Sequence, residues 1–157
     1  MDQTLIRWAS ARDIDTIVDF NQRLAHETEE MSLDSTTLRR GVERLLAEPS
    51  RRGRYLVAER ADEVVGQLMH TYEWSDWRDG EIWWIQSVYV RADHRGVGIY
   101  RQLHQYLRQL AIDSAGVVGI RLYVENENQS AAEVYRRLGM VDAPYRVMQE
   151  IFSNGGR

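Results

Sequence analysis

The stretch "VYVRADHRGVGIYRQL", residues 88–103, decides how this chain is read. It opens as an apolar alternation of strand type, turns through a charged segment with two close glycines, and continues as a helix. Ile99, Leu103, Leu107 and Leu110 form a helical stripe through "GIYRQLHQYLRQLAIDSAG", closed by Gly116. A helix start leaves backbone N–H groups unpaired and carries about half a positive charge, which makes it an anion site. Gly96 and Gly98 let that backbone approach a bulky anion, and Arg95 adds a planar cationic fork suited to phosphate oxygens. The same glycines also suit an ordinary strand-to-helix turn, so the stretch alone leaves both readings open.

Two common phosphate loops are absent. No G-x-x-x-x-G-K-[ST] occurs, and position 101 is Arg where a dinucleotide loop needs its third glycine.

Working outward, Leu5 to Trp8 reads as a short strand, followed by a helix carrying Ile14, Ile17, Val18 and Leu24 behind a Ser10 to Asp13 capping pattern. A second helix spans Ser35 to Ala47, with Pro49 and Gly53 as breakers. "RYLVAER", "EVVGQLMHTYEW" and "EIWWIQSVYV" read as an antiparallel meander. In the third of these, Ile82, Trp84, Val88 and Val90 are expected on one face and Trp83, Ile85 and Tyr89 on the other, which marks a central strand covered on both sides. After the helix come a strand "VVGIRLYV", a short helix "SAAEVYRRLG" and a last strand "YRVMQEIF". The predicted order is β-α-α-β-β-β-α-β-α-β, an α/β (α+β) fold.

Composition narrows the chemistry. At 157 residues and 43% hydrophobic, one domain over residues 1–152 is expected, with a flexible tail at 153–157. A net charge of -4 and a pI near 5.6 argue against a nucleic-acid partner. The absence of cysteine excludes disulfides, thiol nucleophiles and thiolate metal sites. All 20 Lys/Arg positions are Arg, which excludes Schiff-base chemistry and a phosphate-loop lysine. The four histidines show no metal-ligand spacing, so no metal is expected. The opening "MDQTLIRWASARDID" lacks the basic start and apolar core of a signal peptide, and no run approaches a membrane span. The expectation is a cytoplasmic protein away from the membrane.

The whole arrangement resembles the GNAT superfamily of N-acetyltransferases. That family's Arg/Gln-x-x-Gly-x-Gly/Ala pattern is met by "RGVGIY" at Arg95 and Gly98, although its last small position is Tyr100 here. A second signature is met by "LYVENENQSAAEVYRRLGM", with Asn128, Ala131, Tyr135, Leu138, Gly139 and Met140 at the family's offsets. The resemblance implies a mixed, mostly antiparallel sheet flanked by helices, with a parallel-strand wedge. It implies acetyl-CoA as cosubstrate, bound through Val88, Tyr89 and Val90 on the strand, through Arg95, Gly96, Val97, Gly98, Ile99, Tyr100 and Arg101 at the turn, and through Asn128. An extended pantetheine arm pairs with a free strand edge as another strand would.

Acetyl transfer to an amine needs a neutral amine, an oxyanion donor and a proton for the departing thiolate. Tyr135 matches the family's proton donor, since a tyrosine hydroxyl of pKa about 10 stays protonated at neutral pH; its place in the stripe Ala131, Val134, Tyr135, Leu138 also suits a core role. The oxyanion donor is expected to be a backbone N–H near Val88. Related enzymes often carry Glu where this chain has Gln86, which cannot accept a proton. If Asp79 and Gly80 form a two-residue type I′ turn, Glu73 lies opposite Gln86 and replaces the missing base. Trp74, Trp77, Trp83 and Trp84, interspersed with acids in "YEWSDWRDGEIWW", suit either strand packing or a rim for a cationic amine. The expected enzyme is an N-acetyltransferase acting on the primary amine of a small molecule, with a homodimer left open. The alternatives are a protein or peptide amine as acceptor, a CoA-binding sensor without catalysis, and a plain interaction domain.

Overall fold

Five strands, β1 (Leu5–Trp8), β2 (Arg54–Arg60), β3 (Glu63–Ser75), β4 (Gly80–Val90) and β5 (Val117–Leu122), form one sheet in the order β1-β2-β3-β4-β5. The first four are antiparallel neighbours, and β4 and β5 run parallel. A parallel pair needs a crossover, and α3 (Ile99–Asp113) supplies it. α1 (Ile14–Glu29) and α2 (Ser35–Ala47) connect β1 to β2. The structure, a computed structural model, describes residues 3–152, and the chain divides into two units at Tyr123/Val124. The fold is a mixed α/β sheet, mostly antiparallel, flanked by helices.

Two apolar clusters sandwich the sheet of the first unit. On one face Leu56, Leu68, Trp83 and Ile85 pack with Ile99, Leu103 and Leu107 of α3. On the other, Tyr55 packs with Ile17 of α1 and with Val42 and Leu45 of α2. The predicted α3 stripe thus buries Ile99, Leu103 and Leu107, as a 3.6-residue period requires. Gly66 of β3 lets that helix start sit close to the sheet, because a Cβ there would lie 3.0 Å from Ile99 Cγ2. α2 begins where its sequence places a cap, with Asp34 Oδ2 accepting from Thr37 N–H at 2.9 Å.

The β3–β4 hairpin differs from the expected two-residue turn. Asp76–Arg78 form a 3-10 turn and Asp79 takes the left-handed conformation (φ 46°), so the ladder closes at Ser75↔Gly80. Asp adopts that conformation more readily than most side chains, which leaves Gly80 for another use: a Cβ on it would collide with Val118. Glu73 therefore pairs with Ile82, and Gln86 pairs with Met69. The expected Glu73–Gln86 pairing is not formed.

The face alternation expected for β4 also fails beyond Gln86. Ser87 has φ 49°, and the register shifts between Gln67↔Tyr89 and Met69↔Gln86, so Ser87 and Val88 together face the single Leu68. This β-bulge moves Val88 and Val90 to the α3 face with Trp83 and Ile85. It turns Tyr89 towards α1, where its ring lies 5.0 Å from Phe20.

The second unit contains α4 (Gln129–Arg137). Asn128 caps it, its Oδ1 accepting from Ala131 N–H at 3.1 Å. At the other end Met140 N–H donates to Tyr135 O at 3.0 Å, and the Arg136 fork holds Asp142 through two bonds of 3.1 Å. The closing strand expected at "YRVMQEIF" is not formed, and residues 141–152 carry neither helix nor strand. β-propensity describes fit to a paired, pleated surface, and this segment has no ladder partner among the described residues. The tail expected at residues 153–157 lies outside the described residues.

Candidate active site

The bulge at Ser87 is where the sheet opens. Pairing between β4 and β5 runs from Glu81↔Val117 to Ile85↔Leu122, while β4 continues to Val90. From Gln86 onward, the β4 edge that faced β5 has no strand partner among the described residues, which is the wedge expected from the sequence. A free edge of N–H and C=O groups can take an extended amide chain. Val88 and Val90 lie on this segment, and the reversed backbone at Ser87 releases groups there from the regular ladder. Gln67, fully buried on β3, donates from Nε2 to Ser87 O at 3.0 Å and so supports the bulged carbonyl.

Directly after β4 the chain makes a 3-10 turn at Ala92–His94 and enters α3 through the two glycines. Both are left-handed, Gly96 at φ 79° and Gly98 at φ 85°. A Cβ on either would meet nothing within 4 Å, so the space over the turn is open. The first intrahelical bond runs from Gln102 N–H to Gly98 O at 3.1 Å, so the N–H groups of Ile99, Tyr100 and Arg101 precede the ladder. Gly98 offers no side-chain cap, and the first turn of α3 carries no acid that would compete with an anion. These residues fit a pyrophosphate, whose oxygens need several convergent donors.

Arg95, expected at the phosphate, makes contacts within the protein. Its Nε donates to Val90 O at 2.8 Å and its Nη2 to Glu27 Oε2 at 2.7 Å, while its guanidinium lies 5.3 Å from the Tyr89 ring centroid. Tyr89 Oη donates to Glu27 Oε1 at 3.2 Å. Arg95 holds the Glu27 carboxyl below its ordinary range. Burial, with Glu27 beside it, pushes the Tyr89 hydroxyl up. Nε and Nη2 thus fasten the glycine turn to the end of β4 and the last turn of α1. Tyr100 places its hydroxyl 3.1 Å from His104 Nδ1, one turn into α3. Burial, with Arg108 second, lowers the pKa of His104, which favours the neutral ring in this contact.

The other candidates lie on several elements. Glu73 binds the guanidinium of Arg121 on β5, with Nη1 to Oε2 at 2.6 Å, four residues along β4 from the level of Gln86. The register that recommended it as a base is therefore gone. Gln86 donates from Nε2 to Thr71 Oγ1 at 2.7 Å. Of the tryptophans, Trp83 is buried, Trp84 meets the Tyr123 ring at 4.5 Å, and Trp74 and Trp77 are exposed. In the second unit, Tyr135 lies on α4 and the Asn128 side chain is occupied as its cap. Sequence reasoning missed Glu27, Gln67 and Ser87. Only the Arg-Gly turn signals a need for support, and nothing local names the residues that provide it.

A sequence profile of the acetyltransferase (GNAT) family matches residues 14–140, and the chain belongs to that family. A possible acetyltransferase from Clostridium difficile 630 superposes with a TM-score of 0.89 at 43% identity, covering 96% of this chain and 99% of that one. A predicted acetyltransferase from Clostridium acetobutylicum, solved with acetyl-CoA, shares the fold at a TM-score of 0.78 and 20% identity, over 94% and 96% of the two chains. A thialysine N-epsilon-acetyltransferase from Bos taurus is 30% identical over 79 residues, 50% of this chain and 45% of that protein. The chain thus spans about half the length of the curated relatives it matches. Among the described residues, no helix is long and apolar enough to cross a membrane.

Proposed function

We propose that the protein transfers the acetyl group of acetyl-CoA to the primary amine of a small molecule by direct attack in a ternary complex, in the cytoplasm. The observation that carries this is the succession of an unpaired β4 edge, a bulge at Ser87 and two left-handed glycines opening α3. The edge at Val88 and Val90 binds the pantetheine amides, and the N–H groups from Val97 to Arg101 bind the pyrophosphate. The curated thialysine acetyltransferases, by name, act on a side-chain amine, which supports a small amine as acceptor.

Acetyl-CoA supplies a thioester carbonyl. The amine nitrogen attacks it, the new N–C bond forms, the C–S bond breaks, and the nitrogen gives up a proton. The backbone N–H at the bulge stabilises the developing oxyanion. Tyr135 is assigned the proton for the thiolate on its motif position, because a tyrosine hydroxyl is protonated at neutral pH. Neither Gln86 nor Glu73 is assigned as base, so the amine arrives neutral or loses its proton to water.

The test is an amine-panel screen that follows free thiol release, run beside calorimetric titration with acetyl-CoA. Thiol release that depends on amine supports the reading. Binding without turnover on any amine would make the protein a CoA-binding module.

A further inference from the structure

On the α1/α2 face of the sheet, five side chains near the wedge lie outside the edge and turn proposed to hold acetyl-CoA. Glu73 of β3 and Arg121 of β5 reach one another across β4, passing over the Ile82↔Gly119 pair. Gly119 has no side chain, and a Cβ there would meet nothing within 4 Å, so the ion pair stands beside open space. The two side chains are 38% and 28% exposed. Next along the same face come Trp84, which pairs with Arg121 in the ladder, and Tyr123, whose ring lies 4.5 Å from Trp84 at 36°. Gln86 follows, the last β4 residue before the bulge.

We propose that this patch recognises the acceptor, and that the acceptor is an amine carrying an α-amino-carboxylate head. The inference rests on the acetyltransferase reading. The Glu73–Arg121 contact uses one carboxylate oxygen and one guanidinium nitrogen. No contact among the described residues engages Glu73 Oε1 or Arg121 Nη2 and Nε. An ammonium group can therefore add to Oε1 while a carboxylate takes the remaining fork of Arg121. A simple monoamine or diamine would match Glu73 alone and leave Arg121 unanswered, whereas a zwitterion matches both charges. A part-exposed ion pair adds little to folding stability, so its placement across three strands beside the wedge is better explained by recognition.

The spacing sets the length. From the level of Ile82 to that of Gln86 is four residues, about 13 Å at strand rise, and from Trp84 it is about half that. An acceptor whose amine sits about five bonds from its head spans the shorter of these distances, from Arg121 at the level of Trp84 to Gln86, with its aliphatic chain across the Trp84 and Tyr123 rings. Those faces also attract an ammonium group.

The experiment compares three probes of similar length: lysine, 1,5-diaminopentane without the carboxylate, and 6-aminohexanoate without the α-amino group. Lysine should exceed each of the others by about tenfold or more in kcat/KM. Arg121→Gln should raise KM for lysine by a similar factor and erase its advantage over 1,5-diaminopentane. KM for acetyl-CoA should stay unchanged, and circular dichroism should confirm the fold. Arg121→Lys keeps the charge without the fork and should fall between. Lysine titrated calorimetrically onto the CoA complex reads the patch independently of turnover. Equal use of all three probes, uniform loss in Arg121→Gln, or no lysine binding to the parent protein would each overturn the patch. Amine-dependent thiol release would persist in the first two cases and leave the acetyltransferase reading standing.

Discussion

Arg95 Nη2 donates to Glu27 Oε2 at 2.7 Å across 68 positions of sequence, and Arg95 Nε donates to Val90 O at 2.8 Å. The residue that opens the glycine turn is thereby bound to the last turn of α1 and to the end of β4. These two bonds hold the turn in place, and such an anchor has a signature distinct from that of a phosphate ligand.

Glu27→Gln should weaken acetyl-CoA binding by a few-fold, because the turn loses its charged anchor. An Arg95 that gripped phosphate directly would bind tighter once freed from Glu27. Titration calorimetry on Glu27→Gln, Arg95→Ala and the double variant separates the two. The positional role predicts that the double variant costs little more than Arg95→Ala, since both single changes break one connection.

Gly98→Asn and Gly98→Asp have nearly the same shape, and both residue types tolerate the left-handed backbone that Gly98 adopts at φ 85°. The Cβ position is open, so both variants should fold. Each intrudes on the space over the turn, but Asp also sets a negative charge against the pyrophosphate. Gly98→Asp should lose about tenfold more affinity than Gly98→Asn, and added salt should shrink the difference. Equal losses at all ionic strengths would remove the pyrophosphate from this turn.

The outcome for these residues shows what sequence can carry. Gly96 and Gly98 were legible because left-handed backbone has a residue preference. The end of α2 was legible because the breakers Pro49 and Gly53 follow it. Ser87 was not, since serine carries no signal for φ 49° and the bulge depends on how Leu68 is shared across the ladder. One extra residue then reversed the faces of Val88, Tyr89 and Val90. The Asp79–Gly80 turn misled for a related reason: Gly80 is needed to admit Val118 of the neighbouring strand, a contact invisible to local pattern. Glu27 and Arg95 are brought together only by the packing of α1 on the sheet.

Tyr135→Phe removes a hydroxyl and nothing else. If that group protonates the departing thiolate, kcat should fall by about 10²-fold or more, the scale of general acid catalysis, while acetyl-CoA binds as before. The pH–rate profile of the parent should also lose its alkaline limb in the variant. A folded Tyr135→Phe with parental turnover would leave Tyr135 as an α4 packing residue.

His70 makes the folded state sensitive to acid. It is 1% exposed, stacked on Trp83 at 4.2 Å and edge-on to Tyr72 at 5.3 Å, and neither ring nitrogen has a hydrogen-bond partner among the described residues. Arg54 lies opposite it in the β2–β3 register. Burial first, and the Arg54 charge second, lower the His70 pKa from 6.5 to about 4. In the unfolded chain the ring titrates near its ordinary value, about 6.5. Between these two values the unfolded state binds a proton that the folded state refuses, so stability present above about pH 6.5 declines as pH falls towards 4. The loss from this residue alone approaches about 3 kcal/mol and levels off once the folded ring also protonates. His70→Phe keeps a flat ring against Trp83 and cannot take a proton. Denaturant unfolding at pH 7.5 and 4.5 should therefore show a smaller drop for His70→Phe than for the parent, with the carboxylate contributions common to both. Equal drops in the two proteins would mean that His70 finds a route to solvent before the chain unfolds.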